Sequence, residues 1–248
     1  MRFTIATYNI HKGFSHLKRR MVIHELREKL HGLDADILFL QEVQGANERH
    51  AGRYVDWPGK PQHEFIADKV WQEIAYGKTA IYRHGHHGNA VLSRFPILSY
   101  ENQDISAHAF ESRALLHCKV RLGQRGPVLH CMNVHLGLFE RGRQWQIRAL
   151  CERIRATVPR DAALIIAGDF NDWRQRASGI LEKSLGMTEV SMASGGRHSR
   201  TFPSVLPMFR LDRIYVRGFK VLGTQVHRGP PWSLLSDHLA VSAELERA

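Results

Sequence analysis

Six short polar clusters in this chain combine residue types that bind hard cations or move protons: Asn9; Glu42; Asn133 with His135; Asp169 with Asn171; Asp212; and Asp237 with His238. Carboxylate and amide oxygens suit a cation such as Mg2+, which keeps several waters and needs only one or two carboxylates besides a substrate phosphate. Glu42 is the best candidate for that carboxylate. Asp169 is placed to accept a proton from an attacking water, with Asn171 fixing its orientation. His238 offers an imidazole for general acid, general base or charge stabilisation, and Asp237 a carboxylate for metal or structure. Asp212 is a candidate partner for the His238 ring, which would fix its tautomer and favour its charged form.

Each cluster has a plainer reading beside the chemical one. A strand-end Glu often joins a surface ion pair, Asp and Asn after a strand are common turn formers, and Asp212 could pair with Arg213 or Arg210. With 16 histidines in the chain, any single one more often packs than catalyses.

The elements that must position these residues come from the flanking patterns. Apolar runs lead into Asn9 (3–8), Glu42 (37–40), His135 (128–134) and Asp169 (163–167), whereas Asp212 and Asp237-His238 stand just before apolar runs. Strands in alternating directions would bring leading and trailing ends to one sheet edge, so one pocket can hold them all. Helical spacing predicts a helix from about Lys18 to Leu30, ended by Gly32, and a second from about Arg143 to Thr157, stopped by Pro159. Period-two alternation over 116–121 and 241–246 predicts antiparallel strands with one buried face. The stretches 45–69 and 191–210 lack periodicity and are expected to be long loops. The run His84-Gly85-His86-His87-Gly88 is expected to form a turn before a strand over 89–93.

At 248 residues and 43% hydrophobic content the chain fits one substantial core, and a single catalytic domain over 1–248 is the expectation. Lys and Arg outnumber Asp and Glu by 35 to 24, so the formal charge of +11 should attract polyanions, nucleic acid or acidic lipid surfaces. No apolar stretch approaches the roughly 20 residues of a membrane span. The N-terminus runs straight into a strand, and the three cysteines lack metal-ligand spacing, so a reduced, cytoplasmic protein is expected. Marks of other chemistries are missing: there is no G-x-S-x-G, H-E-x-x-H, C-x-x-C or G-x-G-x-x-G, and Gly77-Lys78-Thr79 lacks the earlier glycine of a P-loop.

In their order, Thr7-Tyr8-Asn9-Ile10-His11-Lys12-Gly13, Leu40-Gln41-Glu42-Val43, Gly88-Asn89-Ala90-Val91-Leu92-Ser93-Arg94, Asn133-Val134-His135-Leu136, Gly168-Asp169-Phe170-Asn171-Asp172, Leu211-Asp212-Arg213-Ile214 and Ser236-Asp237-His238 resemble the motifs of the endonuclease/exonuclease/phosphatase (DNase I-like) superfamily. The match spans nearly the whole chain and is specific as an ordered set. More narrowly, the chain is similar to uncharacterised bacterial metal-dependent hydrolases of this superfamily encoded near a cardiolipin synthase.

The resemblance implies a four-layered α/β sandwich, with two mixed β-sheets packed face to face, helices outside and the site at one edge. It implies Glu42 as the principal Mg2+ ligand, Mn2+ being able to replace Mg2+, with Asn9 nearby and Asp237 as a further metal-site carboxylate. Asp169 and Asn171 would activate the attacking water, Asp212 would orient His238, and His238 with His135 would contact the phosphate. Arg113, in Glu111-Ser112-Arg113-Ala114, resembles a phosphate-contacting arginine of the DNase I side. His135 differs in type from the matching residue of the abasic-site endonuclease branch, which argues against that activity.

The expected function is Mg2+-dependent phosphodiester hydrolysis by direct in-line attack of water on nucleic acid, by a monomer. The alternative is a phospholipase C-, sphingomyelinase- or phosphatase-like enzyme acting on a phospholipid or inositol phosphate. Leu206, Met208, Phe209 and the segment 231–235 would then make peripheral membrane contact. A non-catalytic anion- or protein-binding module is a third reading, and a Ser-His-Asp esterase built on Ser233 or Ser236 a weaker fourth.

Overall fold

The computed structural model describes residues 1–16, 20–123 and 125–247. Its first sheet is built from β1 (Arg2–Asn9), β2 (Ile37–Asn47), β3 (Glu73–Tyr82), β4 (Gly85–Ser93), β11 (Phe219–Val226) and β12 (Val241–Arg247), in the order β11-β12-β1-β2-β4-β3. The second contains β5 (Ile97–Asp104), β6 (Ala114–Arg121), β7 (Val128–His135), β8 (Ala163–Asp169), β9 (Thr188–Glu189) and β10 (Asp212–Arg217), in the order β5-β6-β7-β8-β10-β9. Both sheets are mixed. Their parallel pairs, β1 with β2 and β7 with β8, are joined through helices α1 (Ile23–His31) and α4 (Glu140–Thr157), as a parallel connection requires.

The uninterrupted apolar runs follow from burial on both faces. Ile37 and Phe39 of β2 and Ile165 and Ala167 of β8 enter the core between the sheets. Their neighbours Leu38 and Leu40 pack with Leu26 and Leu30 of α1, and Leu164 and Ile166 pack with Ile147, Leu150 and Ile154 of α4. The result is the four-layered α/β sandwich that the resemblance implied.

Along the inner faces the composition turns from apolar to polar toward one edge. Ile5 is followed by Thr7 and Asn9, Phe39 by Gln41, Cys131 by Asn133 and His135, Ala167 by Asp169, and Ile214 is preceded by Asp212. A buried polar belt separates the core from that edge. Gln41 Nε2 donates to Asn133 Oδ1 at 2.8 Å and to Thr7 Oγ1 at 3.2 Å, while Asn133 Nδ2 donates to the carbonyls of Leu40 (2.9 Å) and Ala90 (2.8 Å) in the other sheet. Asn133 therefore stitches the sheets together just behind the polar edge.

Three local expectations need correction. The aperiodic stretch 45–69 holds the end of β2 and two short helices, α2 (Glu48–Arg53) and α3 (Gln62–Ala67). One turn or two of helix is too short to show a periodic stripe. Residues 191–210 include most of α6 (Val190–Gly195) before becoming irregular, and α5 (Ala177–Leu185) and α7 (Trp232–Leu235) complete the α-helices among the described residues. Residues 85–88 of the histidine-rich run belong to β4, which starts at Gly85, and the turn falls at Arg83 and His84. Helix α1 starts at Ile23; Lys18, in its expected first turn, lies outside the described residues.

Candidate active site

Register brings the site residues of the second sheet into one row. His135 pairs with Asp169 across β7 and β8, and Asp169 pairs with Asp212 across β8 and β10, which runs antiparallel. The leading end of β10 thus meets the trailing ends of β7 and β8. Gly168 makes this approach feasible: a Cβ there would lie 1.9 Å from the Val134 carbonyl oxygen, and its φ is +144°.

In the first sheet Asn9 pairs with Gln41, one residue before Glu42. The register between β2 and β4 slips between Leu40 and Val43, and Glu42 takes a left-handed φ of 56°. Glu42 therefore sits on a bulge within a longer strand, and such bulges re-aim side chains beside functional sites. Asn171 (φ 46°), His11 (φ 46°) and Lys12 (φ 59°) are also left-handed, so non-glycine strain gathers at this edge.

Asp169 Oδ2 is the focus of the arrangement. Asn9 Nδ2 donates to it at 3.1 Å, and the Nε2 atoms of His135 and His238 stand 3.5 and 3.6 Å away. Its Oδ1 accepts the Asn171 backbone N–H at 2.9 Å, and Asn171 Nδ2 is held by the Leu136 carbonyl. Burial, opposed by His238 and reinforced by Asp212, raises the Asp169 carboxyl to about 6.

On the far side of His238, Nδ1 lies 2.8 Å from Asp212 Oδ2. Burial alone would discharge this imidazole. Asp212 and Asp169 outweigh it and raise His238 to about 10, so the ring is an imidazolium at neutral pH. His135 is driven the other way: burial, with Arg113 adding to it, holds it well below its usual value and keeps it neutral. Two imidazoles beside one carboxylate therefore carry different charges.

Glu42 is half-buried, with Lys12 Nζ 3.7 Å from its Oε2. Burial opposes its ionisation, but His135, Lys12, His11 and His238 outweigh that and lower it to about 2. Asp237 Oδ1 lies 3.7 Å from His11 Nδ1, and Ser236 Oγ donates to the Asn9 carbonyl at 2.7 Å, tying the 236–238 segment to the end of β1. Arg113, just before β6, is half-buried. Its Nη1 donates to the Ser112 carbonyl, its Nε is buried without a partner, and its charge reaches His135 and His87.

The plainer reading of Asp212 fails, because Arg213 pairs with Asp172 at 3.2 Å instead. Thr201 was not foreseen. Its hydroxyl donates to Asp212 Oδ2 at 2.5 Å and accepts the Asp212 N–H at 3.2 Å, locking the carboxylate that holds His238. It lies in an aperiodic segment with no signal to single it out.

Among the described residues, Asp169, Asp212 and His238 form a group whose ligand atoms lie within 4.8 Å of one another. His238 Nδ1 is occupied by Asp212, so this trio is better suited to moving protons than to binding a cation. By donor chemistry, the residues that would suit a hard divalent ion are the ionised Glu42, the Asp237 carboxylate and the Asn9 amide oxygen, which here accepts the His11 N–H at 3.1 Å.

Comparison with known proteins agrees with the fold. The sequence model of the Endonuclease/Exonuclease/phosphatase family matches residues 6–238. The uncharacterised protein YbhP of Escherichia coli K12 is 44% identical over 243 residues, covering 98% of this chain and 96% of YbhP. An endonuclease/exonuclease/phosphatase structure from Bacteroides vulgatus superposes with a TM-score of 0.78 at 16% identity, covering 100% of both chains. A mannosyl-6-phosphatase of Bacteroides thetaiotaomicron does so with a TM-score of 0.74 at 16% identity, covering 98% of this chain and 99% of that one. This chain belongs to the endonuclease/exonuclease/phosphatase family of hydrolases.

Proposed function

We propose that this chain is a divalent-cation-dependent phosphodiester hydrolase acting on nucleic acid, with its catalytic domain spanning residues 1–248. The observation that carries the reading is Asp169 flanked by a neutral His135 and a charged His238, with Glu42 kept ionised nearby.

In this reading Asp169, oriented by Asn9 and Asn171, takes the proton of the attacking water. His238, held by Asp212, faces the phosphoryl oxygens with fixed positive charge, and His135 donates a neutral hydrogen bond to them. Arg113 adds charge at the rim. Glu42, with Asn9 and Asp237, would hold Mg2+ or Mn2+, which when bound supplies Lewis-acid polarisation of the phosphate. In this reading no side chain attacks phosphorus, and the activated water does so directly.

The +11 charge supports a nucleic acid substrate, since basic side chains on phosphates provide most sequence-independent affinity. A second reading, a phospholipid substrate, draws on the exposed Val205, Leu206 and Met208 in the loop between Phe202 and Phe209, because Phe202 packs 4.9 Å from the His238 ring. No helix among the described residues is long and apolar enough to cross a membrane, so lipid would be met from the surface.

A panel of plasmid DNA, RNA, cardiolipin, sphingomyelin and inositol phosphates, each with Mg2+ and with Mn2+, tests the assignment. Cleavage of DNA or RNA is expected. Turnover of a lipid or inositol phosphate alone would replace the nucleic acid reading with the second one.

A further inference from the structure

Beside Glu42 lies a pocket of 190 Å³ that the hydrolytic residues do not use, lined by Lys12, Phe14, His50, Arg53 and Tyr54. Lys12 belongs to both, since its ammonium is the group 3.7 Å from the Glu42 carboxylate. The pocket therefore adjoins the carboxylate that, in the hydrolase reading, would hold the cation facing the scissile phosphate.

The pocket is aromatic and firmly built. The Phe14 ring lies 5.0 Å from that of His50 and 5.4 Å from that of Tyr54, and Trp57 backs them at 6.2 Å from Phe14 and 5.0 Å from His50. The left-handed turn at His11 and Lys12 passes into Gly13, φ +77°, where a Cβ would lie 2.6 Å from Gln62 Nε2. Gln62 uses that amide to hold the Lys12 carbonyl at 2.8 Å, and its Oε1 accepts the Gln44 N–H at 2.9 Å. Gln44 Oε1 in turn meets His50 Nδ1 at 3.0 Å, and Asn47 Oδ1 accepts the His50 N–H at the start of α2. Both walls are thus anchored to β2, the strand that carries Glu42.

Size and charge narrow the occupant. The volume is below the ~300 Å³ at which drug-sized sites begin, so one ring system fits and a long chain does not. Aromatic walls also suit a quaternary ammonium, but Lys12 and Arg53, whose guanidinium lies 5.6 Å over Tyr54, repel a cation. Flat faces with cations at the rim suit a planar base joined to phosphates. Stacking platforms flanked by Lys and Arg bind single strands in this way.

We propose that this pocket takes an unpaired nucleobase adjacent to the scissile phosphodiester, stacked against Tyr54, whose ring the buried Phe14 supports, and that the substrate class is single-stranded nucleic acid. The proposal rests on the hydrolase reading for the position of the phosphate, and on the pocket alone for the base. Lys12 and Arg53 then contact the phosphates on either side of that base.

The test compares a thymidine hexanucleotide with a hexamer of the same phosphates lacking bases. Binding is followed by the fluorescence of Trp57, assigned among the five tryptophans by its loss in Trp57→Phe. The base-bearing strand is expected to quench Trp57 saturably and to bind about tenfold more tightly than the abasic one. Tyr54→Ala should abolish that ratio and Tyr54→Phe should keep it. The same ratio in kcat/KM should be about tenfold for the native chain and near one for Tyr54→Ala. Equal binding of the two strands, tighter binding of a duplex, or a ratio unmoved by Tyr54→Ala would overturn the proposal. Cleavage of both strands at equal efficiency would remove the base pocket and leave the hydrolase. Base-dependent quenching without cleavage of either strand would remove the hydrolase and leave the pocket.

Discussion

Asn9 at the end of β1 donates its side-chain amide to Asp169 Oδ2 at the end of β8, 3.1 Å away, and so joins the two sheets at their polar edge. The bond fixes the carboxylate between the imidazoles of His135 and His238. Asn9→Ala removes a hydrogen bond to a buried carboxylate, expected to cost about 2 kcal/mol of stability. It should also lower kcat/KM roughly tenfold to a hundredfold, because Asp169 is no longer aimed. Urea unfolding and steady-state kinetics on one phosphodiester check both.

Asp212 and His238 act as one unit, with Thr201 behind them. Asp212→Asn removes the charge that holds His238 as an imidazolium, so the ring's pKa should fall and kcat should drop by about 10² to 10⁴. Thr201→Val leaves the carboxylate in place but frees it, with a smaller loss of roughly tenfold. Nitrogen-resolved NMR titration of His238 alongside kinetics separates loss of charge from loss of fold.

The polar belt predicts a stability effect away from the chemistry. Asn133→Leu leaves the Leu40 and Ala90 carbonyls and the Gln41 amide without their buried partner. A loss of about 3 kcal/mol is expected, read as a lower urea midpoint at unchanged slope.

Stability should also fall in mild acid. His63, stacked on Tyr76 at 4.1 Å, is lowered to about 4 by burial and by His86. His117, whose Nε2 lies 2.9 Å from His130 Nδ1, is lowered to about 4 by burial, His130 and Lys119. Between pH 6.5 and 4 the unfolded chain binds protons at these sites that the folded chain does not, so stability is lost as pH falls through that window. Over that window a shift of this size is worth up to about 3 kcal/mol for each group. Thermal melts from pH 7 to 4 should show the decline, and His63→Phe, which keeps a ring against Tyr76, should flatten it.

The candidate site is legible in the sequence because its residues flank apolar runs, four clusters at their trailing ends and Asp212 and Asp237-His238 at their leading ends, and the runs are long because both sheet faces are covered. Helices α1 and α4 were readable for a related reason: each packs a stripe of Leu and Ile against one sheet. Helices α2 and α3 were not, being too short for periodicity. Asn133 looked chemical because it precedes His135 by two positions, and that spacing puts both on the inner face without telling a belt residue from a site residue. Thr201 and the rings of Phe14, His50, Tyr54 and Trp57 gain meaning only from partners distant in sequence. The bulge that aims Glu42 was equally hidden, since Gln41-Glu42-Val43 reads as a strand end until its register with β4 is known.

In the proposed mechanism Asp169, His238 and a cation held by Glu42 act together at one phosphodiester. Its most direct test is the hydrolysis of bis-p-nitrophenyl phosphate by the native chain with Mg2+, with Mn2+ and with EDTA, beside Glu42→Gln, Asp169→Asn and His238→Ala proteins shown to be folded. Metal-dependent turnover that EDTA abolishes and that each substitution lowers by at least about a hundredfold is the predicted result. Full turnover in EDTA, or normal turnover in all three substituted proteins, would contradict it.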